Sequence, residues 1–144
     1  AMLKSAMALM FFLPGVPSIS YGDEAGLQGY KDPFNRRCYP WGNEDHELIG
    51  FTKELGCIRR EYKVFKNGRL HFLAAPDDVM AFARVRESDG TAVQIYVNRS
   101  PHEQKAELAP WNEKYSISAI RRGTQDGNCL KIGGYDYAVV VLDK

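Results

Sequence analysis

LPGVPSISYGDEAGLQGYKDPFNRRCYPW runs from Leu13 to Trp41, and the rest of the chain is organised around it. Pro14-Gly15 is a hard stop for any helix that precedes it. Val16 to Tyr21 then reads as a short buried strand. From Gly22-Asp23-Glu24 onward, glycines and prolines interrupt the chain and neither a helical nor a strand period continues. A structureless stretch of that length inside a compact chain is usually functional or disordered. Aromatic residues, paired carboxylates and Arg36-Arg37 make it a poor composition for disorder.

A buried strand that delivers polar residues into a long loop at its C-terminal end is the geometry of the active-site face of a (β/α)8 barrel. Pro14-Gly15-Val16-Pro17-Ser18-Ile19-Ser20-Tyr21-Gly22-Asp23-Glu24 resembles the last-barrel-strand motif of the α-amylase family of glycoside hydrolases. Asp32-Pro33-Phe34-Asn35-Arg36-Arg37, with Pro40-Trp41 after it, resembles the segment that follows that strand in the neopullulanase, cyclomaltodextrinase and α-glucosidase branch. The two motifs stand in the family's order and at its spacing. One position departs: Ser20 stands where the family usually has a tyrosine. The resemblance extends more weakly to the end of the chain, as the closing barrel helix and the C-terminal β-sandwich of such enzymes.

Composition is compatible with this and excludes other classes. The chain has 144 residues, 44% hydrophobic and 26% charged, with a formal net charge of +1. No strong field draws it to nucleic acid or to an anionic membrane. Cys38, Cys57 and Cys129 are odd in number and widely spaced, which indicates neither a zinc site nor a disulfide framework. Free thiols favour a reducing compartment, so a cytoplasmic location is expected. Asn98-Arg99-Ser100 has the form of a glycosylation sequon but is followed by Pro101, and it is discounted. No metal and no cofactor are expected.

Leu3 to Leu13 is apolar on nearly every side apart from Lys4 and Ser5, which predicts a buried helix. It is too short to cross a bilayer, which takes about 20 residues. A second helix is expected after Asn43-Glu44-Asp45, its N-cap candidates. Leu48, Phe51, Leu55, Ile58, Tyr62 and Phe65 recur at steps of three and four, and Asn67-Gly68 ends the pattern. Beyond Arg69 the period changes to two. Ser88-Asp89-Gly90 marks a hairpin, and further turns are expected at Pro110-Trp111-Asn112, Asp126-Gly127 and Gly133-Gly134. Short strands at such intervals predict an antiparallel sandwich. The expected fold is therefore an α+β fragment: residues 1–66 as the last helix, strand and helix of a (β/α)8 barrel, and residues 67–144 as an all-β antiparallel sandwich domain. In that arrangement Val16 to Tyr21 lacks neighbouring strands. It is expected to pair with a second copy, giving a homodimer, or to pack irregularly on the second helix.

Retaining glycoside hydrolysis uses two carboxylates that flank one bond about 5–5.5 Å apart. Asp23 and Glu24 are adjacent and point to opposite faces of an extended chain, so no catalytic residue is assigned here. The resemblance implies the same, since the family's catalytic acids lie on earlier barrel strands whose motifs do not occur in this sequence. Asp32 and Arg36 form an acceptor and a forked donor on one loop, suited to the vicinal hydroxyls of a sugar. The resemblance implies that such a pair helps hold glucose units; the other reading is a salt bridge internal to the loop. Tyr39 and Trp41 either stack on a sugar ring or cover the top of the barrel helix. Trp111 is the one candidate for a secondary glucan site on the sandwich. The resemblance implies a C-terminal portion of a retaining α-glucan hydrolase that acts on maltodextrin-, pullulan- or cyclodextrin-type substrates. Without its catalytic carboxylates, such a piece is expected to be inactive alone. The alternative is a non-catalytic β-sandwich that binds glucan or stabilises its parent enzyme.

Overall fold

The computed structural model describes residues 2–111 and 114–144. Helix α1 spans Met2–Phe12, α2 spans His46–Glu61, and a single turn, α3, spans Val64–Asn67. Eight strands follow: β1 Arg69–Phe72, β2 Val79–Arg86, β3 Thr91–Asn98, β4 Gln104–Glu107, β5 Ser116–Arg121, β6 Thr124–Asp126, β7 Cys129–Ile132 and β8 Tyr137–Asp143. They form a five-stranded sheet in the order β1-β2-β3-β8-β5 and a three-stranded sheet in the order β4-β7-β6, with every pairing antiparallel. Asn112 of the expected Pro110-Trp111-Asn112 turn lies outside the described residues.

The sandwich expectation holds, with one addition that concerns what covers which face. Val93, Ile95 and Val97 of β3, Tyr137, Val139 and Val141 of β8, and Phe82 of β2 turn toward the helices. There they meet Met7, Phe11 and Phe12 of α1 and Leu48, Phe51, Leu55 and Ile58 of α2. The alternate residues, Ala92 and Tyr96 of β3 and Ala138, Val140 and Leu142 of β8, meet Ala106, Leu130 and Ile132 of the smaller sheet. The central sheet is therefore buried on both sides, which is why β8 reads as a nearly continuous apolar run and β3 buries even its polar Gln94 and Asn98. One apolar cluster spans both halves of the expected division at residues 66 and 67.

Helix α2 forms as its spacing predicts. Asp45 is the N-cap, its Oδ1 accepting from the Leu48 N–H at 2.9 Å. The helical pattern through Phe65 is broken once: Tyr62 is extended, with φ −101° and ψ 108°. This places Phe65 in α3, fully buried and 5.1 Å from Phe12, ring centre to ring centre. Phe12 also meets Tyr137 edge-on at 5.3 Å.

The joint between helices and sheet is built on arginine. Arg84 of β2 is 1% exposed, and among the described residues it forms no ion pair with a carboxylate. Its guanidinium donates to the carbonyls of Phe12 at 2.8 Å, Gly68 at 2.9 Å and Phe65 at 3.3 Å. These are carbonyls at the C-terminal ends of α1 and α3, which no intrahelical donor can reach and where the helix dipole favours a cation. Arg59 of α2 donates to the Phe11 and Gly15 carbonyls of the same helix end. Burial lowers the pKa of both arginines, and for Arg84 the proximity of Arg59 adds to the effect.

Asn98 is fully buried and fully used. Its Nδ2 donates to the His102 carbonyl at 2.7 Å and the Gly133 carbonyl at 2.9 Å, and its Oδ1 accepts from the Ser100 N–H at 2.8 Å. A sugar at this nitrogen is incompatible with that packing. At Gly134 a Cβ would stand 2.1 Å from the Pro101 carbonyl oxygen, so only glycine fits. No described helix is long and apolar enough to cross a membrane.

Two expectations are corrected. Val16 to Tyr21 is not a strand: residues 16–20 have no regular structure and Tyr21 opens a turn, with Val16 93% and Tyr21 62% exposed. The apolar residues are present, but among the described residues no neighbouring strand completes the ladder, and the Ser20 carbonyl instead accepts from the Asp23 N–H at 3.0 Å. The helix–strand–helix unit is thus a helix, a long loop and a helix. Helix α1 is buried on one face only, with Met2 65% and Leu3 46% exposed although they are as apolar as the covered side.

Replacing Arg84 by methionine preserves bulk but leaves at least three buried carbonyls without a donor. Arg84→Met is expected to destabilise the chain by about 3 kcal/mol. Equilibrium urea unfolding measures this; an unchanged midpoint would show that the carbonyls are satisfied without the guanidinium.

Candidate functional site

The loop between α1 and α2 is ordered by its own backbone. Gly22 and Gly26 have φ of 79° and 75° and flank a short 3-10 turn, Asp23–Ala25. The Gly22 carbonyl accepts from the Ala25 and Leu27 N–H groups, both at 3.0 Å. A Cβ on Gly22 would stand 2.8 Å from Leu27, so the turn closes only around glycine. The Ala25 carbonyl in turn accepts from the Asp45 N–H at 3.0 Å, tying the turn to the start of α2.

Asp23 and Glu24 are successive residues of this turn, and both are half-buried. Asp23 lines an open groove of about 580 Å3 together with Lys4, Gln28, Asp45 and Glu47. Lys4 pairs with Glu47 across it. Among the described residues neither Asp23 nor Glu24 forms an ion pair with an arginine, so they are not partners of a buried cation.

Beyond the turn the four candidate residues come as two pairs. The Asp32–Pro33 peptide is cis. The Phe34 N–H donates to the Lys31 carbonyl at 2.8 Å and the Arg36 N–H to the Pro33 carbonyl at 3.0 Å. This winding brings Asp32 Oδ1 to 2.7 Å from Arg36 Nε. The side chains are 61% and 76% exposed, so the salt bridge internal to the loop exists while both groups stay open to a ligand. An exposed pair of this kind contributes at most about 1 kcal/mol.

Tyr39 and Trp41 form the second pair, with ring centres 4.6 Å apart. Tyr21 completes an aromatic cluster, 6.4 Å from Tyr39, and its hydroxyl accepts from the Tyr39 N–H at 2.9 Å. Trp41 is 79% exposed, so it does not cover the helix below. Desolvation raises the Tyr39 pKa, with Glu24 and Glu44 adding to the effect, and the phenol stays a neutral donor. Tyr21 was hidden in the sequence because it closes an apparent strand. Its position just before the Gly22 turn is the one signal that points to a role in the loop. Arg59, which holds the loop's root at Gly15, was hidden for a similar reason: its charge reads as helix surface.

What the arrangement can do chemically follows from these groups. It offers an acceptor and a forked donor beside the exposed Trp41 ring and the half-buried Tyr39 ring on one ordered loop, groups suited to hydroxyls and a ring face rather than to breaking bonds. In a double-mutant cycle on stability, Asp32→Ala with Arg36→Ala is expected to give a coupling of about 0.5 kcal/mol. A coupling well above about 1.5 kcal/mol would make the pair a structural clamp.

No family model matches the chain. Among proteins of known name, it is 54% identical over 82 residues to an amylopullulanase of Thermoanaerobacter thermohydrosulfuricus, covering 57% of this chain and 6% of that protein. It is 34% identical over 132 residues to a cyclomaltodextrinase of Thermoanaerobacter pseudethanolicus, covering 90% of this chain and 23% of that protein. Among solved structures, an α-amylase from Geobacillus thermoleovorans complexed with acarbose superposes with a TM-score of 0.80 at 25% identity, over 99% of this chain and 33% of that one. The chain thus spans well under half the length of the proteins it matches. By sequence and by fold it belongs to the α-amylase family of glycoside hydrolases.

Proposed function

We propose that the chain is the C-terminal portion of a retaining α-glucan hydrolase, and that the loop holding Asp32, Arg36, Tyr39 and Trp41 lies at the substrate cleft of the whole enzyme. The whole enzyme hydrolyses α-glucosidic bonds in maltodextrin-, pullulan- or cyclodextrin-type substrates. The relatives' names, amylopullulanase and cyclomaltodextrinase, support that class. Residues 1–66 are then the end of the catalytic barrel and residues 67–144 its C-terminal β domain.

The observation that carries this reading is α1, an apolar helix with one face buried under α2 and the sheet and an equally apolar face left open. A helix apolar on both sides is suited to the wall of a larger α/β layer. The segment at residues 16–21, in neither sheet, lies directly after it, where the next barrel strand would enter. The loop that follows is then at the C-terminal end of that strand, the side of a barrel where substrates bind. Asp32 accepts hydroxyl protons, Arg36 donates to sugar oxygens, and Tyr39 and Trp41 offer ring faces to pyranose rings. None of them breaks the bond; the two carboxylates that flank it would come from other parts of the whole enzyme.

The purified chain is expected to release no glucose or maltose from maltodextrin, and clear release would overturn the division of labour. In the whole enzyme, Arg36→Ala is expected to raise KM for maltodextrin by about 10- to 100-fold, the worth of a hydrogen bond to a charged group, with kcat little changed. Steady-state kinetics checks this, and an unaltered KM would remove the loop from the cleft.

A further inference from the structure

A second set of sugar-binding groups lies on the sandwich, on elements distinct from the Asp32–Trp41 loop. The chain leaving β4 passes through Leu108, Ala109, Pro110 and Trp111, and it is pinned there from inside. The Ala109 N–H donates to Tyr96 Oη at 3.0 Å, the Tyr96 hydroxyl donates to Gln94 Oε1 at 2.8 Å, and Gln94 Nε2 donates back to the Ala109 carbonyl at 2.9 Å. Tyr96 and Gln94 are 0% and 1% exposed. Two polar side chains from the central strand of the sheet are thus spent on holding both peptide groups of one residue.

That closed ring of hydrogen bonds fixes the approach to Trp111. The indole stands perpendicular to Tyr115, with ring centres 6.4 Å apart. The two rings, with Gln94, Leu108, Gln125 and Asn128, line a groove of about 170 Å3. No described lining residue is an acid, a lysine, an arginine or a histidine, while the Lys144 ammonium lies over the Tyr115 ring, 5.6 Å from its centre. Gln125 and Asn128 flank the Gly127 turn and are exposed; the Gln125 amide reaches only the Gly127 carbonyl, at 3.0 Å.

Aromatic faces give a pyranose ring an apolar platform, and carboxamides offer both a donor and an acceptor to its hydroxyls. Rigid aromatic groups held before the ligand arrives bind with little loss of conformational freedom. We infer that the Trp111–Tyr115 groove is a binding site for a neutral α-glucan segment, separate from the Asp32–Trp41 loop. The choice of α-glucan rests on the proposed function above; the ring-stacking character of the site rests on the groove itself.

Titrating the 15N-labelled chain with maltoheptaose tests both sites at once, because each carries its own tryptophan. Saturable shifts are expected at the Trp111 indole and at the amides of Leu108, Ala109 and Tyr115. Trp111→Ala is expected to weaken this affinity by at least about tenfold. Trp111→Phe, which keeps a ring, is expected to recover part of it. Gln125→Ala, an exposed truncation that leaves the fold intact, is expected to weaken it severalfold. Unmoved groove resonances, or equal affinity in Trp111→Ala, would overturn the inference. Shifts at the Trp41 indole with a silent groove would leave the loop reading standing and remove this one; the reverse result would do the opposite. Silence at both would remove both.

Discussion

Two arginines on separate elements grip one helix end, and the molecule is arranged around that grip. Arg84 reaches out of the sheet and Arg59 out of α2, and between them they satisfy the Phe11, Phe12 and Gly15 carbonyls. A helix terminus that points into protein must find donors, because water cannot reach it. Placing guanidinium groups there, with no described carboxylate paired to Arg84, uses the helix dipole and the carbonyl lone pairs as the counter-charge. Arg84 also holds the α3 end through Phe65 and Gly68, so one side chain sets α1, α3 and β2 relative to one another.

The consequence reaches the loop. Its root at Gly15 is fixed by Arg59, and its far end joins α2 through the Asp45 cap. Between these anchors the Gly22–Leu27 turn fastens the chain once more, by way of Ala25 and Asp45. What is left free to face outward is the stretch with the Asp32–Arg36 and Tyr39–Trp41 pairs. Rigid anchorage with exposed polar and aromatic groups is the way binding loops are usually mounted on a scaffold. A second network does similar work on the opposite flank: Arg122 grips Asp136 at 2.8 Å and Glu54 at 2.8 Å, and its guanidinium lies over the rings of Phe51 and Tyr137. That contact joins α2 to the β5–β6 turn and raises the Arg122 pKa.

The sheet between the helices and the smaller sheet explains a feature of the strands that periodicity alone misreads. Alternation in β3 separates Val93, Ile95 and Val97 from Ala92, Gln94, Tyr96 and Asn98, and both sets are buried. The larger residues meet helices; the smaller and polar ones meet the second sheet, where Gln94, Tyr96 and Asn98 spend their hydrogen bonds on loops. Burying polar side chains is costly unless each atom is satisfied, and here each bond fixes a connection between strands.

Much was legible in the residues alone. The step of three and four from Leu48 marked α2, the Asp45 cap was among three candidates, and the change to a period of two placed the onset of the β region. The hairpins at Asp89-Gly90 and Asp126-Gly127 followed from turn chemistry, as Gly90 and Gly127, with φ of 68° and 61°, attest. These are local matters, decided by backbone preference and by which side of an element is apolar. Tertiary structure alone decided the rest. Val16 to Tyr21 has the composition of a strand, but a strand exists only where a neighbour supplies the other half of its hydrogen bonds, and composition does not carry that information. Nor could spacing show that Arg84, in the middle of an apolar strand, faces three carbonyls, or that Tyr21 stands behind Tyr39. Those contacts join residues 16 to 72 positions apart, and only the folded chain brings them together.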